Sequence, residues 1–141
     1  MKITARARVN PTEDEAKVRR ALLNIFPEAT IEKQADSEHT ETLALHGEGL
    51  GFLSAFRSLI KQERIRSAAR KIILGKMEDQ RIMIYLHKQA AFAGRVSFCE
   101  PVGESPHGPI TIEIRAASPE SIVDYLAARP GQNGFQRFRP T

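Results

Sequence analysis

The sequence predicts an α+β domain of two layers, a mostly antiparallel or mixed sheet with helices on one face. Three observations lead there. Segments 2–9 and 110–115 alternate apolar and polar residues with period two, which gives strands with one buried face. The segments after Thr12, between 51 and 74, and after Ser118 repeat apolar residues at helical spacing. Successive strand-like segments are joined by short links, which favour antiparallel neighbours and leave the helices to cover one side.

In the first strand Ile3, Ala5, Ala7 and Val9 face one way, and Lys2, Thr4, Arg6 and Arg8 the other. Asn10-Pro11-Thr12 stops it. Thr12 is predicted to cap a helix, with Glu15 at capping-box spacing and Glu13-Asp14-Glu15 set against the positive end of the dipole. Val18, Ala21, Leu22 and Ile25 form its apolar stripe, Glu13–Lys17 and Glu15–Arg19 pair on the wet side, and Pro27 ends it. Segments 30–35 and 40–46 read as two strands joined through Asp36-Ser37-Glu38-His39. Leu43 and Leu45 point inward, and the acidic side faces solvent.

Between 51 and 74 two apolar stripes run out of phase: Phe52, Phe56, Leu59 and Ile60, then Ile65, Ala68, Ala69, Ile72 and Ile73. On one continuous helix they would point to opposite sides, so a break is predicted near 62–67, with Ser67 capping the second helix. Segment 81–87 reads as a central strand, 89–93 as a helical turn closed by Gly94, and 95–99 as a strand with Val96 and Phe98 inward. A turn-rich loop (101–109) leads to strand 110–115. Ser118-Pro119-Glu120 then starts a last helix docked by Ile122, Val123 and Leu126.

At 141 residues the chain is expected to form one domain over 1–129, followed by a flexible basic and aromatic tail over 130–141. A chain of this length buries about 68% of its unfolded surface. Hydrophobic residues at 41% and charged residues at 27% are those of a soluble globular protein. Cys99 is the only cysteine, which excludes a disulfide framework and a cysteine-rich metal site and points to a reducing compartment. No apolar run approaches the roughly 20 residues that cross a bilayer. Met1 to Arg6 alternates instead of forming the apolar core of a secretory signal. The expectation is a cytoplasmic protein with no membrane partner.

Charge is the main functional signal. Six basic residues (Arg57, Lys61, Arg64, Arg66, Arg70 and Lys71) lie between 57 and 71 with Glu63 as the one acid, whereas 28–48 holds six acids against Lys33 alone. With a net charge of +4 and a pI near 9.5, this layout attracts polyanions. Arg57, Lys61 and Arg64 follow i, i+4, i+7 spacing, one helix edge, and Arg66 and Arg70 repeat the i, i+4 step. Lys88 and Arg95 flank the turn at 89–94 and extend the set of candidate polyanion contacts, and Arg6 and Arg8 would widen it. The plainer alternative is a solvated polar face. In the tail, Phe135, Arg137, Phe138 and Arg139 would either stack on unpaired bases or dock on their own domain.

Nothing comparable points to catalysis, a cofactor or a metal. Gly47, Gly49 and Gly51 imitate a dinucleotide-binding loop, but Phe52 stands where its third glycine belongs and Glu48 would repel phosphate. His39, His46, His87 and His107 lack ligand spacing, and Cys99 has no neighbouring base. The acids at 13–15 are accounted for by the helix dipole.

The segments PTEDEAKVRRALLNIFPEA, IRSAARKIILGKM, HKQAAFAGRVSFCEP and GPITIEIRAASPESIVDYL, in that order over residues 2–129, resemble the archaeal uncharacterised protein family 0201. The resemblance implies a cytosolic archaeal protein predicted to bind RNA. It also implies a two-layer α+β fold likened to double-stranded-RNA-binding domains and to ribosomal protein five of the large subunit. It brings no catalytic residues. The resulting expectation is a non-catalytic protein that contacts structured or double-stranded RNA through its backbone. The alternative is a protein-interaction module or homodimer that pairs the acidic 28–48 region with the basic helices.

Overall fold

The computed structural model describes residues 1–35, 40–101 and 108–128. The elements are β1 (Lys2–Val9), α1 (Glu15–Ile25), β2 (Glu32–Ala35), β3 (Glu41–Glu48), α2 (Ser54–Gln62), α3 (Arg66–Gly75), β4 (Met77–Glu78), β5 (Arg81–Leu86), α4 (Lys88–Phe92), β6 (Ile110–Arg115) and α5 (Pro119–Leu126). The six strands form one sheet in the order β2-β3-β1-β6-β5-β4. Every neighbouring pair is antiparallel.

Alternation in β1, β3, β5 and β6 delivers one apolar face. Across the strands Leu45, Ala5, Ile112 and Ile84 stand in register, as do Ile3, Ile114 and Ile82, and all are buried. Against them pack Val18, Leu22 and Ile25 of α1, Phe56 and Ile60 of α2, Ala69 and Ile73 of α3, and Ile122, Val123 and Leu126 of α5, in one continuous core. Burying each such side chain contributes roughly 1.5–3 kcal/mol. The helices thus cover one face, and among the described residues no helix packs on the other face of the sheet.

Local details depart from the sequence reading where side chains outcompete simple capping rules. The α1 N-cap is Asp14, whose carboxylate accepts from the Ala16 N–H, while Thr12 is exposed and Glu13 reaches back to the Asn10 N–H at 3.0 Å. The break between α2 and α3 falls inside the expected window, but Arg64 makes it with φ +59° and Ile65 is the N-cap; Ser67 lies within the helix. Ile72 points outward at 39% exposure because the inner stripe of α3 narrows to Ala69 and Ile73.

The expected strand at 95–99 is absent. That segment makes a single bridge, Phe98 to Leu86, and its buried residues Val96 and Cys99 are three apart, out of step with a pleat. The two-residue β4 is too short for periodicity to reveal; it pairs with β5 through a turn in which Asp79 has φ +55°. The expected link at Asp36–His39, part of the loop at 101–109, and the tail with Phe135, Arg137, Phe138 and Arg139 lie outside the described residues.

Gly47 is required where it stands. A Cβ there would come within 2.4 Å of the Phe52 ring, and that ring stacks on Phe26 at 5.2 Å. The short 3-10 turn Leu50–Leu53 follows and launches α2. The glycines at 47–51 therefore shape a strand-to-helix turn.

Candidate nucleic-acid interface

The eight cations singled out in the sequence divide into three groups. Arg57 and Arg70 hold α5. The Arg57 Nε donates to the Tyr125 carbonyl at 3.0 Å, and its guanidinium lies 5.1 Å from the Tyr125 ring centroid. Arg70 Nη1 donates to Asp124 Oδ1 at 2.7 Å and to the Ala127 carbonyl at 3.1 Å, leaving its side chain 14% exposed.

Lys88 and Arg95 belong to the second group, cations with acidic partners. Lys88 is only 5% exposed. Its ammonium donates to Glu13 Oε1 at 2.9 Å and to the Arg8 carbonyl, tying α4 to the end of β1 and the start of α1. Burial pushes the Lys88 pKa down and outweighs the opposing hydrogen bond and charge of Glu13. Burial also raises the pKa of Glu13, but hydrogen bonds from the Asn10 N–H and from Lys88 outweigh it and hold the carboxyl below its ordinary value. A side chain so enclosed cannot reach a phosphate, which removes Lys88 from the candidate patch. Arg95 is well exposed and pairs with Glu63 at 3.4 Å.

The third group lies at the α2–α3 junction, where Lys61 and Arg64 are exposed and Arg66 is half-buried. Lys61, Arg64 and Arg66 border one open hollow of about 690 Å³, floored by Ile65, Ala68 and Ala128. The left-handed backbone at Arg64 turns the chain so that the end of α2 and the start of α3 flank this hollow. Among the described residues Lys61 and Arg64 form no salt bridge. No side chain caps the first turn of α3, so its positive dipole end adds to the same electropositive surface. Lys71 is exposed further along α3.

Arg6 and Arg8 do not join this group. They stand on the face of the sheet opposite the helices. Strand register there gathers cations that the sequence keeps far apart. Lys2 of β1 is directly beside Arg115 of β6, and Arg115 directly beside Arg81 of β5. In the next row Glu113 Oε2 is buried, 2.9 Å from Arg115 and 3.8 Å from Arg81, without hydrogen-bond alignment to either. Period-two alternation already placed Lys2 on the polar face of the first strand; only the pairing register shows that Lys2, Arg115 and Arg81 meet.

Among the described residues no group of three or more His, Cys, Asp or Glu side chains converges to hold a metal ion. No described helix is long and apolar enough to cross a membrane.

A family model described as RNA binding matches residues 2–116. A UPF0201 protein of Aeropyrum pernix is 38% identical over 144 aligned positions, covering 99% of this chain and 95% of that one. A UPF0201 protein of Metallosphaera sedula is 34% identical over 128 residues, covering 91% and 88%. The crystal structure of a UPF0201 protein from Methanococcus jannaschii superimposes with a TM-score of 0.81 at 29% identity, covering 92% of this chain and 94% of that one.

Proposed function

We propose, from the premise that this chain belongs to the archaeal UPF0201 family, that it is a non-catalytic protein binding the ribose–phosphate backbone of structured or double-stranded RNA through the α2–α3 junction. The observation that carries this reading is the hollow shared by Lys61, Arg64 and Arg66. Fold economy alone would not place an arginine at φ +59°, because a left-handed residue with a Cβ costs on the order of 1 kcal/mol and glycine would avoid that cost. Strain of this kind concentrates where a side chain has work to do. Duplex RNA suits the surface because its bases are inaccessible and recognition falls to phosphates and 2′-hydroxyls.

The test is fluorescence anisotropy with a labelled RNA duplex of about 16 base pairs, from 50 to 200 mM salt, on the wild type and a Lys61→Gln/Arg64→Gln variant. On the duplex-DNA scale each lost phosphate contact lowers the slope of log affinity against log salt by about 0.9, so the double variant should lose about 1.8. An unchanged slope would remove these two residues from the interface. Loss of all RNA binding by a variant that melts early would be a folding effect, so thermal unfolding is measured alongside.

A further inference from the structure

We infer that the sheet carries a phosphate site of its own at Arg6 and Arg8, on the face opposite the helices, and that its ligand is a phosphate monoester. This goes beyond the α2–α3 reading and does not depend on it. The other cations on this face are matched by register. Lys2 stands beside Glu48, Arg81 beside Glu78, and Arg115 and Arg81 share Glu113. Arg6 and Arg8 are not matched. Both are exposed, and among the described residues neither forms a salt bridge. Their neighbours on β3 are Ala44 and Thr42, and Arg6 has Thr111 of β6 on its other side. Glu113 is held by Arg115, and Glu32 lies two strands from Arg6, about 10 Å by strand spacing.

The sheet parts at this point. β1 pairs with β3 as far as Val9, but with β6 only as far as Arg6. Pro109, which would face Arg8, has no N–H to donate, and Lys88 takes the Arg8 carbonyl instead. The gap is a hollow of about 420 Å³ lined by Arg6, Arg8, Thr42 and Thr111 between Pro101 and Pro109, with no carboxylate among its described lining residues. That is the size of a small-ligand site. Arg6 and Arg8 are about 7 Å apart along the strand. Guanidinium forks pair bidentately with phosphate oxygens, and threonine hydroxyls supply further donors. The charge excess is confined to this pair, because the row at Lys2, Arg115 and Arg81 is neutralised by its own acids. It therefore fits one terminal phosphate, which carries about −1.5 to −2 charges near pH 7, better than a run of singly charged backbone diesters.

The probe is uridine 5′-monophosphate, followed by backbone amide NMR, with uridine as the phosphate-free control. The nucleotide should shift the amides of residues 6–8, 42 and 110–111, and uridine should not. Arg6→Gln and Arg8→Gln should each weaken binding about tenfold, the loss of one charge-assisted contact apiece. Lys61→Gln/Arg64→Gln should leave it unchanged. The wild-type shifts keep the test decisive if an arginine variant fails to fold. A monoester has two sources, a free nucleotide or the 5′ end of an RNA, and the labelled duplex with phosphate or hydroxyl ends separates them. Tighter binding of the phosphate-ended duplex, lost in Arg8→Gln, assigns the site to RNA ends; equal binding of the two assigns it to free nucleotides. Nucleotide shifts that miss the hollow, that uridine reproduces, or that persist at wild-type affinity in both arginine variants overturn the site and leave the α2–α3 interface standing. Loss of duplex binding alone would remove that interface and leave the site.

Discussion

Two groups of cations, one in the helix layer and one on the sheet, differ in how the chain assembles them. The helix layer takes its cations from one run, residues 57–71, and the fold then divides them: Arg57 and Arg70 anchor α5, while Lys61, Arg64 and Arg66 remain around one hollow. The sheet face works in reverse. Lys2, Arg81 and Arg115 are far apart in the chain and unremarked in isolation, yet register sets them shoulder to shoulder. Clustering along a sequence overstates clustering in space on a helix, because 100° per residue sprays neighbours around the axis. It understates clustering on a sheet, because pairing is invisible until the strands are ordered.

The contrast between cations that build the fold and cations that face outward is sharpest at Lys88. Lys88→Met should cost about 3 kcal/mol, since it leaves the Glu13 carboxylate enclosed without its counter-charge. Urea unfolding would show the loss, and RNA affinity of the folded protein should not move. A stable variant with weakened RNA binding would put Lys88 among the outward cations.

Gly47→Ala comes next. The added methyl meets the Phe52 ring, and repacking should cost about 2 kcal/mol in a thermal melt. An unchanged melting temperature would mean that the turn into α2 is not held by this contact.

Arg64→Gly separates fold from function at one position. Glycine relieves the left-handed backbone, so stability should rise by up to about 1 kcal/mol. The duplex salt slope should fall by about 0.9. Both quantities falling together would show that the arginine side chain is structural.

The smallest effect is in acid. With its pKa held below the ordinary 4.5, Glu13 contributes stability that is present in full above that pH and lost as pH falls through the lower folded value. The stability gap between wild type and Glu13→Gln, measured by urea midpoints from about pH 6 to pH 3, should therefore close on the acid side. A gap that stays constant would mean the carboxyl is not preferentially ionised in the fold.

Much of the architecture was legible because periodicity reports it directly. Ile110, Ile112 and Ile114 gave β6, and Val18, Ala21, Leu22 and Ile25 gave the inner face of α1; the core buries all seven. The apparent strand at 95–99 failed because alternation over five residues cannot distinguish a pleat from an irregular edge, and here Val96 and Cys99 set the burial. The α1 cap is Asp14 where the sequence suggested Thr12, and the neighbouring Glu13 binds Lys88, a partner 75 residues away that no local rule contains. The same long-range pair lies behind one departure at the site. Lys88, which reads as a surface base in the sequence, is buried against Glu13. The α2–α3 hollow was half legible: the phase shift between stripes located the break, but not that Arg64 itself would take the left-handed turn.

The most direct measurement is a backbone amide NMR titration of the protein with a hydroxyl-ended duplex of about 16 base pairs at low salt. The expected result is that the largest shifts fall on residues 61–68, with the sheet face opposite the helices unmoved. Shifts confined to the sheet face or the acidic strands, with the α2–α3 junction silent, would contradict the claim that this junction grips the RNA backbone.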